Sequence, residues 1–125
     1  MKKLKTKVNF KDKRGKITDL VENENINGIS VITFSKGAVR GNHFHKKTKQ
    51  YNYILRGKIK FVSQNENEKI KSLLARSGDL ILTLPLEKHA LMALEDSELM
   101  VFTVGPRTGK NYESDTFRLL KPLLR

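Results

Sequence analysis

The stretch from Gly37 to Gly57, GAVRGNHFHKKTKQYNYILRG, constrains this chain more than any other. It holds two of the three histidines, His43 and His45, separated by one residue and flanked by glycines at turn-like positions. In a β-strand, residues i and i+2 point to the same face, so both imidazoles project into whatever that face encloses. The stretch therefore predicts a strand with a chemical site on one side.

Strands account for most of what surrounds it. KDKRG, residues 11–15, is a charged turn, residues 17–22 read as a short strand, and GISVITF, residues 28–34, is β-branched and apolar throughout. After the histidines come an exposed KKTK turn, a strand over residues 51–55, and KIKFVSQ, which alternates lysine with apolar residues as a half-buried strand does. NENEK is a hairpin tip, residues 71–75 form another strand, and LILTLP, HALMAL and LMVFTV supply three more. No helical period appears before the tail, where FRLLKPLLR has room for one turn broken by Pro122. Nine or ten short strands with regular turn signals predict an all-β sandwich or small antiparallel barrel. With 125 residues, the chain has room for one domain, 1–125, with a basic N-terminal segment over 1–16 and a C-terminal tail over 119–125.

A net charge of +12 is compatible with nucleic-acid binding. The lysines are scattered, however, and the aromatics are not interleaved with them as a stacking platform requires. A solvated basic surface that attracts an acidic small molecule, such as a diphosphate, accounts for the charge, and no nucleic-acid partner is expected. There is no cysteine, hence no disulfide or thiolate chemistry. The basic start leads into no apolar run, and no stretch approaches the roughly 20 apolar residues that span a bilayer. The expectation is a cytoplasmic protein with no membrane partner.

Strand parity carries a second inference. If His43, His45, Gln50 and His89 face inward, then Phe44, Tyr51, Tyr53, Leu55, Ala90, Met92 and Leu94 face outward, and that face is too apolar to be left in water. Its expected cover is a second copy of the chain, making a homodimer with strands packed or exchanged.

Glycine, five residues, His43, one residue, His45, four residues, Gln50, six residues, Gly57 resembles the first motif of the cupin superfamily, with Gln50 in place of the usual glutamate. Gly78, Pro85 and His89 resemble its second motif more loosely. Within the cupins the chain is most similar to the dTDP-4-keto-6-deoxyglucose 3,4-ketoisomerases. Asp12, Arg14 and Gly15 with Glu22 resemble that family's opening pattern, Arg40, Gly41, His43, His45, Lys46 and Gln50 its core, and Tyr112, Glu113, Asp115 and Arg118 its closing segment. GPRTGK stands as an insertion, and Phe44 after RGNH is similar to the related 3,5-epimerases.

The resemblance implies a cupin jelly roll that binds a nucleotide-diphosphate sugar and isomerises it without a metal. A proton leaves the carbon beside a ketone, giving an enediolate, and a histidine titrating near neutrality suits such a transfer. His43 and His45 are the implied catalytic pair, with Arg40, Gln50, Asn52 and His89 binding substrate and a tyrosine such as Tyr51 stacking on the base. Parity alone sets Arg40 on the face opposite His43 unless the strand is bulged. The competing implication is a metal-dependent cupin enzyme, with His43, His45, Gln50 and His89 around Fe, Mn, Ni or Zn, although an amide in place of the carboxylate weakens such a site. A 3,5-epimerase or a non-catalytic sugar-binding cupin is the remaining alternative.

Overall fold

The computed structural model describes residues 1–125, and twelve β-strands carry the architecture. One five-stranded sheet has the order β1 (Lys2–Leu4), β9 (Leu80–Thr83), β6 (Lys49–Arg56), β11 (Ser97–Val104), β4 (Gly28–Phe34). The second has the order β12 (Phe117–Arg118), β5 (Val39–Phe44), β10 (Lys88–Ala93), β7 (Lys58–Gln64), β8 (Lys71–Arg76). All pairings are antiparallel. The expected all-β jelly roll is therefore present. No helix is long and apolar enough to cross a membrane.

Alternation decides what each strand gives to the interior. Along β11, Ser97, Leu99, Val101 and Thr103 are buried, while Glu98, Met100, Phe102 and Val104 are only half-covered. The inward row of β6 runs Gln50, Asn52, Ile54, from polar to apolar. Ten buried residues, Ile54, Ile59, Phe61, Ile81 and Leu99 among them, close the apolar end. Each such side chain contributes about 1.5–3 kcal/mol by leaving water. The apolar end fixes the sheets, and the polar rows at the other end are left to form a site.

The sequence reading differs from the structure in four places. The basic N-terminal segment holds β1 and also β2 (Lys7–Asp12), which pairs only with β3 (Gly15–Asp19) in a hairpin of its own. The tail makes β12 against β5 instead of a helical turn. Ala90 is fully buried instead of exposed. The other residues assigned to one outer face divide between the two sheets, Tyr51, Tyr53 and Leu55 on one, Phe44 and Met92 on the other. Parity within a strand fixes a side, but not which sheet that strand joins.

A bulge in β5 reverses the parity argument for Arg40. His89 opposes His43, yet Ala90 opposes Gly41, which leaves Asn42 as the extra residue. Gly41 has φ 88° and Asn42 φ 55°. A Cβ at Gly41 would lie 2.9 Å from the His89 carbonyl oxygen, so only glycine fits there. The bulge returns Arg40 to the side of His43. Asn42 also pins the tail, because Oδ1 accepts the amides of Leu123 (2.8 Å) and Leu124 (3.1 Å) while Nδ2 donates to the Leu124 carbonyl (2.9 Å).

Asn42 thus combines a left-handed backbone with three hydrogen bonds to the tail. Asn42→Ala is expected to destabilise the fold by about 2–3 kcal/mol and Asn42→Gly by about 1–2 kcal/mol, because glycine relieves φ but not the lost bonds. Thermal melts of both variants check this, and equal losses would remove the backbone from the explanation.

Candidate active site

The three histidines meet at the polar end of the interior. His43 comes from β5, His89 from β10 directly opposite, and His45 from just beyond β5. The His43 ring centroid lies 4.7 Å from that of His45 and 4.7 Å from that of His89. One ring nitrogen from each falls within 4.8 Å of the others. Exposures of 7% for His43, 1% for His45 and 3% for His89 show how little water reaches them.

Backbone carbonyls set two of the tautomers. His45 Nδ1 is 2.9 Å from the Asp115 carbonyl oxygen, and His89 Nδ1 is 3.1 Å from that of Glu87. A carbonyl only accepts, so each Nδ1 carries the proton and each Nε2 keeps a lone pair. His43 Nδ1 and His45 Nε2 are buried without hydrogen-bond partners. Nε2 is therefore the nitrogen that His43 presents to the cavity.

A cavity of about 320 Å³ opens above the cluster, walled by His43, His89, Gln50, Asn52 and Thr83 and by the apolar Ile32, Phe34 and Leu91. His45 packs behind that wall and does not line it. Gln50 Nε2 lies 3.4 Å from Thr103 Oγ1, and Asn52 Nδ2 donates to the Ile81 carbonyl at 3.0 Å. Arg40 reaches the same cavity, its guanidinium carbon 5.2 Å above the Phe34 ring. Tyr51 points to the outer face, where its hydroxyl donates to Glu24 at 2.6 Å, so it does not stack over the cavity.

Three charged lining residues have no role in the sequence analysis: Arg107, Glu113 and Arg118. Glu113 and Arg118 belong to the closing segment that resembles the ketoisomerases, which was their available signal. Nothing in the pattern marks Arg107, which lies in the insertion. The wall they form is tied down by Asp115, whose carboxylate accepts the amides of Lys46 (3.0 Å), Lys47 (2.9 Å) and Thr48 (2.9 Å) and the Thr48 hydroxyl (2.8 Å). Burial pushes the Asp115 carboxyl up, but these bonds together outweigh it and hold the group below its usual range.

Burial dominates the electrostatics of the cluster. It pushes His43 down to about 2 and His89 down to about 4, with the neighbouring imidazoles adding to both effects, and it lowers His45 despite the Asp115 carbonyl. All three are neutral at pH 7. Three arginines against one glutamate leave the lining residues at 3 − 1 = +2, so the cavity favours an anion.

A family model, the polysaccharide biosynthesis C-terminal domain, matches residues 10–117. No curated protein matches the chain. The sugar 3,4-ketoisomerase QdtA from Thermoanaerobacterium thermosaccharolyticum, solved in complex with TDP, is 27% identical over 94% of this chain and 85% of its own, with a TM-score of 0.67. A 3,4-ketoisomerase from Helicobacter canadensis shares the fold at TM-score 0.72 with 20% identity, over 93% of this chain and 86% of its own. The rmlC epimerase of Mycobacterium tuberculosis shares it at TM-score 0.70 with 17% identity, over 85% of this chain and 64% of its own. The chain thus spans less than two thirds of that epimerase, and about a third of other matched structures.

In metal-free protein the folded values of His43 and His89 lie below the 6.5 of the free imidazole. The unfolded chain therefore binds more protons, so stability is full above about pH 6.5 and falls as the pH drops toward about 4, by about 1.4 kcal/mol per unit for each imidazole. Urea midpoints of chelator-treated protein between pH 7 and 5 should fall with a slope of more than one proton. His43→Asn should flatten that slope, and an unchanged slope would exclude His43 as its source.

Proposed function

We propose that this chain, which belongs to the polysaccharide biosynthesis C-terminal domain family, is a nucleotide-sugar isomerase that acts on a dTDP-linked 4-keto-6-deoxyhexose in the making of surface-polysaccharide sugars. One observation carries the reading: a cavity with neutral imidazoles at its floor and a net positive mouth. The similarity to a TDP-binding ketoisomerase supports it. So does the recess of about 520 Å³ beside the cavity, which shares Phe34, Val39 and Arg40 with it and adds Arg56. We place the sugar against the histidines, the diphosphate at Arg40 and Arg118, and the nucleoside in the recess.

The chemistry is redox-neutral within the sugar. C3 gives its proton to an imidazole, the electron pair forms the C3–C4 double bond, and the C4 carbonyl electrons move to O4. O4 then takes the proton of O3, C4 is reprotonated, and the ketone stands at C3. We assign the cavity-facing work to His43 and His89, since these two line the cavity, and give His45 the role of holding His43 in place. An empty cavity makes these imidazoles poor bases, but an incoming diphosphate and a developing enediolate bring the negative charge that raises their proton affinity. Gln50 and Asn52 hold the sugar by hydrogen bonds.

A second reading rests on the convergence of the three imidazoles. One ring nitrogen of each within 4.8 Å of the others, in a cluster where His43 Nδ1 and His45 Nε2 are buried without partners, fits one borderline divalent ion such as Zn or Fe held by His43, His45 and His89. Such an ion would supply Lewis-acid polarisation of the sugar carbonyl. Gln50 lines the cavity too and offers a neutral oxygen donor.

We also propose that the protein is a homodimer of the cytoplasm, a compartment that suits a cysteine-free chain. Its accessible surface is 8076 Å², against about 6,800 Å² for a compact monomer of this mass. The detached hairpin leaves Phe10 at 52% and Ile17 at 59%, and edge strand β4 leaves Ile29 at 60% and Val31 at 54%. Sedimentation should give two chains per particle, with Val31→Asp shifting it toward one; a monomeric wild type would refute the dimer.

In deuterated solvent, dTDP-4-keto-6-deoxyglucose should acquire deuterium at C3 or C4, and His43→Asn should slow this by about 10²- to 10⁴-fold. Elemental analysis of untagged protein separates the two readings. Metal near one per chain, with activity lost on chelation, favours the second, and full activity without metal favours the first. An inert wild type overturns both.

A further inference from the structure

Arg107 differs from the other two arginines of the cavity. Arg118 is engaged by Glu113 at 3.0 Å. Arg40 is exposed and leans on Phe34, with a terminal nitrogen 3.3 Å from the Thr33 carbonyl. Arg107 is half-buried, and its only hydrogen bond runs from Nε to Thr116 Oγ1 at 3.0 Å. Neither terminal nitrogen has a hydrogen-bond partner, and the residue lines the cavity that His43 and His89 also line. Its charge acts on all three histidines.

The backbone on both sides of Arg107 is clamped. A Cβ at Gly105, where φ is 139°, would lie 2.6 Å from Thr48 Oγ1, and the Gly105 amide donates to Asn27 Oδ1 at 2.8 Å. On the other side Thr108 packs so closely on Gly28 that a Cβ there would lie 2.7 Å from Thr108 Cγ2. A guanidinium fixed by its inner nitrogen, with its outer fork free beside neutral imidazoles, is a preorganised anion holder. Its place beside the histidines matches charge that appears there during reaction, more than the diphosphate at the mouth.

We propose that Arg107 holds the oxygen on which negative charge develops when the sugar loses its proton. This rests on the isomerase reading above. When the C3 proton moves to an imidazole and O4 becomes negative, the fork of Arg107 donates to O4, while Arg40 and Arg118 keep the diphosphate. Thr116 is the positioning residue that sets the guanidinium's direction.

The test measures three quantities on the full chain: deuterium exchange into dTDP-4-keto-6-deoxyglucose, the dissociation constant of TDP, and the shift of histidine Cε1–H NMR signals on titration with nitrate. Nitrate is a planar oxyanion that matches a guanidinium fork and ligates metals poorly. Arg107→Gln is expected to slow exchange by about 100-fold or more, to change TDP affinity by less than about threefold, and to abolish the nitrate shift. Arg107→Lys should restore part of the rate. Thr116→Val, which keeps the charge but frees it, should slow exchange with TDP affinity unchanged, and it carries the test if Arg107→Gln fails to fold. Arg40→Gln should weaken TDP and leave the nitrate shift in place. Equal losses of rate and TDP affinity in Arg107→Gln would make it a diphosphate ligand instead, and an unchanged rate with an intact nitrate shift would make it merely structural. If the wild type neither binds TDP nor exchanges the sugar proton, the isomerase reading falls. The nitrate titration then still decides, since a shift lost in Arg107→Gln supports Arg107 as the anion holder and a retained shift refutes it.

Discussion

One carboxylate holds the site together. Asp115 accepts four hydrogen bonds from residues 46–48, the turn that follows the histidine strand, while its backbone carbonyl takes the Nδ1 proton of His45. The carboxylate is more than 60 residues along the chain from everything it binds. It therefore closes the barrel's polar end by fastening the C-terminal segment over it. Arg107, Glu113 and Arg118 reach the cavity because that segment is fixed there. A protonated Asp115 would keep part of this net, but its charge is what makes four donors converge.

That fastening explains how neutral imidazoles and charged arginines share so small a space. The histidines are kept uncharged by removal from water, an effect that acts on each ring regardless of its neighbours. Arg107, half-buried, cannot lose its charge at any working pH, so its burial costs stability without neutralising it. The fold meets that cost by leaving the terminal nitrogens of Arg107 unpaired beside the cavity, where solvent or a ligand completes them. A site with permanent cations and imidazoles free of protons is poised to accept a negatively charged molecule and then a proton.

The histidine stretch was legible in the sequence because strand periodicity is local: His43 and His89 face inward as their spacing requires, and GISVITF and KIKFVSQ form strands over the residues expected. What depends on distant parts of the chain is not legible locally. Arg40 changes side because Asn42 adopts a left-handed backbone, a choice that its hydrogen bonds to a tail 81 and 82 residues away stabilise. His45 looks equivalent to His43 by parity, yet it lies past the end of β5 and turns behind the wall. Ala90 is buried where the Gly41 backbone passes so close that a Cβ there would lie 3.1 Å from the Ala90 Cα. The N-terminal lysines masked β1, a three-residue edge strand against β9, and β2, since a detached hairpin with both faces exposed has no buried side to impose an alternation.

The same electrostatics bear on the choice between a bound cation and a substrate anion. Two unit charges about 6 Å apart interact by roughly 3 kcal/mol at an effective dielectric of 20, and a divalent ion doubles that. Arg107 acts on all three candidate ligands, so a divalent ion would sit in a repulsive field with no carboxylate among the clustered nitrogen donors to offset it. Glu113 already engages Arg118 and offers the ion little. Three imidazoles supply enough donor strength to hold zinc or iron against such a field, but the field subtracts from that binding. For an enediolate it adds to binding, and it does so more strongly as charge moves onto oxygen. An interaction that grows along the reaction lowers its barrier, whereas one present from the start only tightens the ground state.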